Sequence, residues 1–440
     1  MPWDAIRGAA PGPFKYPPAG AWRQSSFDPL FASPYGTYAR DGRQDSPAHG
    51  ARGHYTSAVH LTGIELTNFR SYRALDLTLG PGLTIVHGAN GSGKSNLLEA
   101  AYLLAIGKSY RASMERELVS WPAAEAGGYA IVGASVERAD GRIALRVGFD
   151  CAAASDIQKG NAVQKRIRVN GIARRAQDLV GALSAVLFTA EDIELIFGSP
   201  SGRRRYLDIM LSQLGGRYVG SLSRYQRVLT QRNALLRAIR EGRGSEAELA
   251  YWDESLCNEG AAVLGARFDA MADLRSLVAD AFVRLEAVDE LDVSYVATAD
   301  FDVRPTPQTL ADALDASRGA ERGAGMTLVG PHRDDLKLVM NGVEMAKHAS
   351  RGQARLAALS LRVAEAKLLE ARRADPPVVL FDDVLSELDD RRRDLVLDEA
   401  VEHQQAIVTT ADLTQVPARH LAAARRLRVD EGEVVEEVAA

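Results

Sequence analysis

The chain has 440 residues, 46% hydrophobic and 25% charged, with a formal net charge of −5; that length allows two or three domains, and the mild acidity excludes a histone-like basic protein while permitting a local arginine patch. Cys151 and Cys257 are isolated and lack zinc spacing, which excludes a disulfide framework and a zinc site. The longest apolar stretch, near residues 97–106, is interrupted by Glu99 and too short for a membrane span, so a cytoplasmic protein is expected.

Residues 1–58 are rich in Pro, Gly, Ser and Ala, carry no helical or strand period and no secretory signal, and read as a disordered extension. From Val59 the pattern becomes regular. Leu61, Ile64 and Leu66 predict a strand, Leu75, Leu77 and Leu79 a second, and Pro81-Gly82 turns the chain into a third at 83–86. Residues 95–106 predict a helix. Residues 128–175 predict strands joined by hairpin turns at Asp140-Gly141 and Asn170-Gly171.

Residues 202–285 are strongly helical, with Tyr218, Leu222, Tyr225, Leu229, Leu236 and Ile239 on one face. Arg232 interrupts that seam, which favours a packed helical domain over a coiled coil. Strands are expected again from about 325, then a helix from Arg351 and a buried strand at 378–381. The two ends therefore read as halves of one α/β unit, 59–195 and 320–440, with a mainly helical domain inserted at 196–319.

Between the third strand and the first helix, Gly88-Ala89-Asn90-Gly91-Ser92-Gly93-Lys94-Ser95 matches the phosphate-loop pattern GxxxxGK[ST]. Its glycines let backbone N–H groups curl around a β-phosphate at the positive end of a helix. Lys94 would reach the β/γ-phosphates and Ser95 would hold Mg2+, with Asn96 in the same first turn. Far downstream, the strand at 378–381 ends in Asp382 and Asp383. The first is the expected magnesium carboxylate, the second the group that polarises the attacking water.

Ala349-Ser350-Arg351-Gly352-Gln353 opens an apolar-periodic helix. Alone it is a helix cap. Placed before the carboxylates it resembles the degenerate ABC signature, whose serine binds the γ-phosphate of ATP held by another subunit. Ser386-Glu387-Leu388-Asp389 follows as the ABC D-loop does.

The ordered set is similar to the RecF family of SMC-like ABC ATPases. It comprises Glu65-Leu-Thr-Asn-Phe-Arg-Ser-Tyr72, the phosphate loop, Ser350–Gln353 and Asp382–Asp389, with Gly198–Asp208 and Gly330–Leu336 between. The resemblance runs from about 59 to the end. It implies a two-lobed P-loop head without long coiled coils, ATP and Mg2+ as cofactors, and binding to gapped or junction DNA. It further implies an ATP-dependent homodimer, slow hydrolysis, interaction with RecR, and help, with RecR and RecO, in loading RecA at single-strand gaps. It places Arg70 near the nucleotide phosphates. It also implies a start near Val59, where such a chain would read Met-x-Leu, so 1–58 is expected to come from a misplaced gene start.

This chain departs from the ABC pattern in three ways. No switch histidine follows the next strand, where Thr409-Thr410 stand and Thr410 is the expected weak substitute; no glutamine lies between Ser95 and Ile157; and the catalytic carboxylate is Asp rather than Glu. An ABC transporter subunit is disfavoured by the long interval between Ser95 and Ser350, and a long-armed SMC protein by its shortness. A scaffold that binds ATP with negligible turnover stays open. For DNA contacts the arginine-rich stretch 203–243 supplies the candidates Arg203, Arg204, Arg224 and Arg227.

Overall fold

The computed structural model describes residues 59–151, 163–285, 289–301, 304–373 and 375–437. The expectations for residues 1–58 lie outside the described residues.

The chain opens with β1 (His60–Phe69), β2 (Tyr72–Thr78) and β3 (Gly82–His87), then the helix Lys94–Ile106. There follow β4 (Tyr129–Glu137), β5 (Ile143–Cys151), β6 (Val163–Val169), β7 (Ile172–Arg174) and β8 (Ala185–Thr189). Apart from β3 and β8 these form one antiparallel sheet in the order β2-β1-β4-β5-β6-β7. Alternate residues such as Leu145, Val147 and Phe149 point inward, as a sheet with one buried face requires. The Asn170-Gly171 turn has positive φ at both residues, 51° and 77°. That is the backbone twist an Asn-Gly hairpin supplies.

The second half of the head contributes β12 (Val378–Asp382), β13 (Gln405–Thr410), β14 (Arg425–Asp430) and β15 (Glu433–Glu437), following β9 (Leu291–Val296), β10 (Asp335–Met340) and β11 (Val343–Glu344). A second sheet runs in the order β15-β14-β3-β13-β12-β8, parallel except for β15. It is covered on both faces. Val379, Phe381, Ala406 and Val408 belong to one apolar core, while Val378, Leu380 and Ile407 belong to the other. Two-sided burial explains why these strands read as continuous apolar runs rather than alternating ones.

The inserted region is built on the helices Pro200–Leu214, Gly216–Arg240, Leu249–Leu285 and Pro307–Ala324. The strands expected to rejoin the head after 325 do not do so. β10 pairs with β9 across the expected boundary, Leu338 opposite Val293, in a separate small sheet with β11. The head resumes at the helix Arg351–Arg373. Arg232 is fully buried, and its guanidinium bonds Asp253, Glu321 and Thr327 at 2.7 Å each. This accounts for a charge in an apolar seam. No helix among the described residues is long and apolar enough to cross a membrane.

Candidate nucleotide-binding site

Strand β3 delivers the phosphate loop and the helix Lys94–Ile106 carries it away. Two walls fix the loop from behind. From the β1–β2 turn, the Tyr72 hydroxyl donates to Gly93 O at 2.9 Å, and Ser71 Oγ would stand 2.8 Å from a Cβ on Gly93. From the β14–β15 turn, Gly432 N donates to Ser92 O at 3.1 Å, and Val429 O would lie 2.2 Å from a Cβ on Gly88. Gly88 and Gly93 also sit at φ 151° and 119°. Close backbone approach and positive φ both exclude side chains there.

Lys94 Nζ folds back onto Gly88 O and Ala89 O at 2.8 and 3.0 Å. Burial lowers its pKa, an effect opposed by Asp383 and Asp382. Ser95 Oγ donates to Asp382 Oδ1 at 2.7 Å, joining the two distant motifs. Asp382 is held further by Tyr110 OH on Oδ2 at 2.7 Å and by Thr409 Oγ1 on Oδ1 at 3.1 Å. Asp383 has φ 53°, and burial raises its pKa while Lys94 lowers it. Its Oδ1, like Ser92 Oγ, is buried without a hydrogen-bond partner in the protein.

These features fit a magnesium nucleotide. A cradle closed to side chains, an orphaned hydroxyl and a lysine satisfied only by its own loop are groups that a phosphate would engage. Among the described residues no cluster of three or more His, Cys, Asp or Glu could hold a metal. One carboxylate and one hydroxyl nevertheless match magnesium, which takes few protein ligands and completes its shell with phosphate and water.

Several sequence expectations are corrected in detail. Arg70 is engaged within the protein. Its Nε and one terminal nitrogen bond the buried Glu99 at 2.9 and 2.7 Å, and the other bonds Glu117 O. Glu99 also accepts from Ser109 Oγ, which in turn caps Arg111 N and Ala112 N, so Arg70 stiffens the loop carrying Tyr110. Asn96 is committed to Ser71 Oγ and Arg111. Thr410, the expected stand-in for the switch histidine, is turned toward Asp412 and Gln415. Thr409 faces the site instead and also accepts from Asp383 N at 2.9 Å. The sequence offered a signal for neither Thr409 nor Tyr110 beyond a hydroxyl near an expected strand or helix end.

Ser350 is exposed at the head of the helix Arg351–Arg373. Gln353 N donates to its Oγ at 3.2 Å and Ser350 N donates to Gln353 Oε1 at 2.9 Å, a reciprocal capping box. Gly352 stands beside Arg392 of the helix Asp390–Glu402, which Asp389 caps through Arg392 N at 2.9 Å. Signature and D-loop are thus neighbours on one surface.

The candidate DNA arginines separate. Arg203 is buried, bidentate to Asp335 at 2.7 Å and bonded to Gly198 O, so it is a packing residue and not a phosphate contact. Arg204 is half-buried on Asp334 O, Arg224 is bidentate to Glu259, and Arg227 is exposed.

A phosphate loop and a carboxylate pair that meet on one parallel sheet, flanked by an antiparallel one, make this an ABC-type ATPase head. A family model described as the RecF/RecN/SMC N-terminal domain matches residues 60–426. The protein described as DNA replication and repair protein RecF in Chloroflexus aurantiacus is 43% identical over 390 residues, covering 86% of this chain and 99% of that protein. That of Roseiflexus castenholzii is 43% identical over 391 residues, with the same shares covered. A solved structure described as the recombination mediator protein RecF with ATP in the RecFOR pathway is 31% identical with TM-score 0.77, covering 89% of this chain and 100% of that one. The chain belongs to the RecF family.

Proposed function

We propose that the chain is a cytoplasmic, ATP-dependent DNA-binding recombination mediator. It dimerises on gapped or junction DNA with ATP, hydrolyses ATP slowly, and with RecR and RecO helps load RecA. The observation that carries the ATPase reading is the Ser95–Asp382 bond, which brings loop and carboxylate together beside Asp383, whose Oδ1 has no hydrogen-bond partner. When bound, magnesium neutralises phosphate charge and aligns the reacting group. Ser95 and Asp382 would hold it, Lys94 would exchange its two loop carbonyls for phosphate oxygens, and Asp383 would take the proton of the attacking water.

Two features support the reading of slow turnover. Thr410 is bonded away from the site, and Asp383 is one methylene shorter than a glutamate. The same facts favour a second reading, a nucleotide-gated scaffold with negligible turnover. Steady-state hydrolysis with and without DNA separates the two.

Dimerisation is supported by the exposed Ser350 cap. In a two-fold sandwich each ATP lies between Lys94 of one copy and Ser350 of the other. Lys94→Met and Ser350→Arg should each inactivate the homodimer. Mixed, half of the dimers are hybrids with one intact site, so activity should return to roughly a quarter of wild type for independent sites. Full activity of Ser350→Arg alone, below the dimerisation concentration, would remove the signature assignment.

A further inference from the structure

Between the antiparallel lobe of the head and the inserted helices lies a cavity of about 880 Å³. Its walls come from the end of the phosphate-loop helix, from β6 and the segment after β7, and from the helices Pro200–Leu214 and Gly216–Arg240. Both carboxylates in the wall are already answered within the protein. Glu115 pairs with Lys165 at 2.7 Å, and Asp208 with Arg267 at 2.7 Å. Four cations remain with no carboxylate partner among the described residues: Lys108, Arg175, Arg204 and Arg205. The first, second and fourth are exposed, and Arg204 bonds only a main-chain oxygen, Asp334 O. The cavity also has apolar wall at Val219 and Leu222.

A net positive cavity with apolar wall suits a ligand that carries phosphates on one side and flat apolar faces on the other. Single-stranded nucleic acid has that chemistry, because its bases are unpaired and free to lie against apolar surface. A duplex presents phosphates to such a surface and keeps its base faces stacked away. Cations that line a cleft between two lobes also focus potential more strongly than the same charges on an open helix face.

We propose that this cleft holds a short segment of single-stranded DNA, with phosphates against Lys108, Arg175, Arg204 and Arg205 and bases against the Val219–Leu222 wall. The proposal rests on the reading that the chain binds DNA, and it moves the contact from the arginine-rich helix face to the inter-lobe cleft. It draws in Lys108 and Arg175, which lie outside the arginine-rich stretch.

The test uses the full chain with ATP and measures affinity for an oligothymidylate and for a duplex of equal length across a salt series. Lys108→Ala/Arg175→Ala should lower single-strand affinity and reduce the slope of log K against log salt by about 1.4, roughly 0.7 for each lost contact. Duplex affinity should hardly change. Wild-type single-strand affinity and slope in the double variant would overturn the cleft while leaving DNA binding itself intact. Equal losses for single strand and duplex would overturn the single-strand assignment. Failure of the wild-type protein to bind any DNA would overturn both this proposal and the reading it rests on. A second measurement does not depend on weakened binding. Both native cysteines are buried, so Ser223→Cys in the cavity wall provides a single accessible thiol for an aryl azide. Crosslinking to the oligothymidylate is expected, and its absence under saturating conditions would overturn the proposal.

Discussion

The two charged centres of this molecule treat buried polar groups in opposite ways. In the inserted region Arg232 and Arg267 are saturated: Arg232 by two carboxylates and a threonine, Arg267 by Asp208, Pro331 O, Tyr295 and Tyr218. In the head, Lys94 makes do with its own loop carbonyls, and Ser92 Oγ and Asp383 Oδ1 have no partner. Around Arg232 and Arg267 the contacts hold a scaffold together, whereas the unmet groups of the phosphate loop and Asp383 are ones that a phosphate and a water would engage. The difference follows from cost, since an unpaired buried polar group lowers stability by about 1–3 kcal/mol.

Breaking the saturated centre should have the largest effect. Arg232→Leu leaves the buried Glu321 without its cation, although Asp253 keeps Arg318 at 2.9 Å, and should cost about 3–5 kcal/mol in urea unfolding. ATP affinity of the folded fraction should be unchanged, because the change lies in the inserted region. In the head the pattern should invert. Asp383→Asn should lower turnover about 100-fold or more while leaving the urea midpoint unchanged or higher, because burial disfavours the Asp383 charge and its Oδ1 has no hydrogen-bond partner to lose. A marked loss of stability in that variant would show that Asp383 is structural.

Acid sharpens the contrast further. Burial depresses the pKa of His332 from 6.5 to about 4, and that of His403 likewise to about 4. Above pH 6.5 both histidines are neutral folded or unfolded, so neither adds pH dependence. Below 6.5 the unfolded chain takes up protons that the folded chain resists. Stability should therefore fall by about 1.4 kcal/mol per pH unit for each histidine until about pH 4, close to 3 kcal/mol apiece. His332→Gln should remove its share of that slope, measured as urea midpoints between pH 7.5 and 4.5. The smallest effect is expected on the arginine-rich helix. Arg224→Ala should change DNA affinity less than Arg227→Ala, because Glu259 already answers the Arg224 charge. A larger loss for Arg224→Ala in a salt series would reverse that order.

The sequence made the head legible because its chemistry is local. A phosphate loop is contiguous, and a buried parallel strand ending in two aspartates announces itself without the rest of the fold. What was not legible depended on side-chain direction. Thr409 and Thr410 are adjacent on one strand and so face opposite sides, and only the sheet decides which one meets Asp382. Tyr110 reaches that carboxylate because Arg70, Glu99 and Ser109 shape its loop through contacts between separate segments. Arg203 was illegible for a related reason. Spacing on an ideal helix cannot reveal that Asp335 waits to receive Arg203, or that β10 leaves the head to pair with β9.

The sheet order around β3 bears on synthesis. The loop's own strand is finished by His87, yet its two neighbours are β13 and β14, and the turn that bonds Ser92 is the one between β14 and β15. A nascent chain paused on the ribosome before Gln405 therefore carries the whole phosphate-loop sequence and neither strand that flanks it. Nucleotide binding becomes a late event in the life of each molecule, and a premature stop just before Gln405 should yield a protein with every glycine of the loop and no grip on ATP.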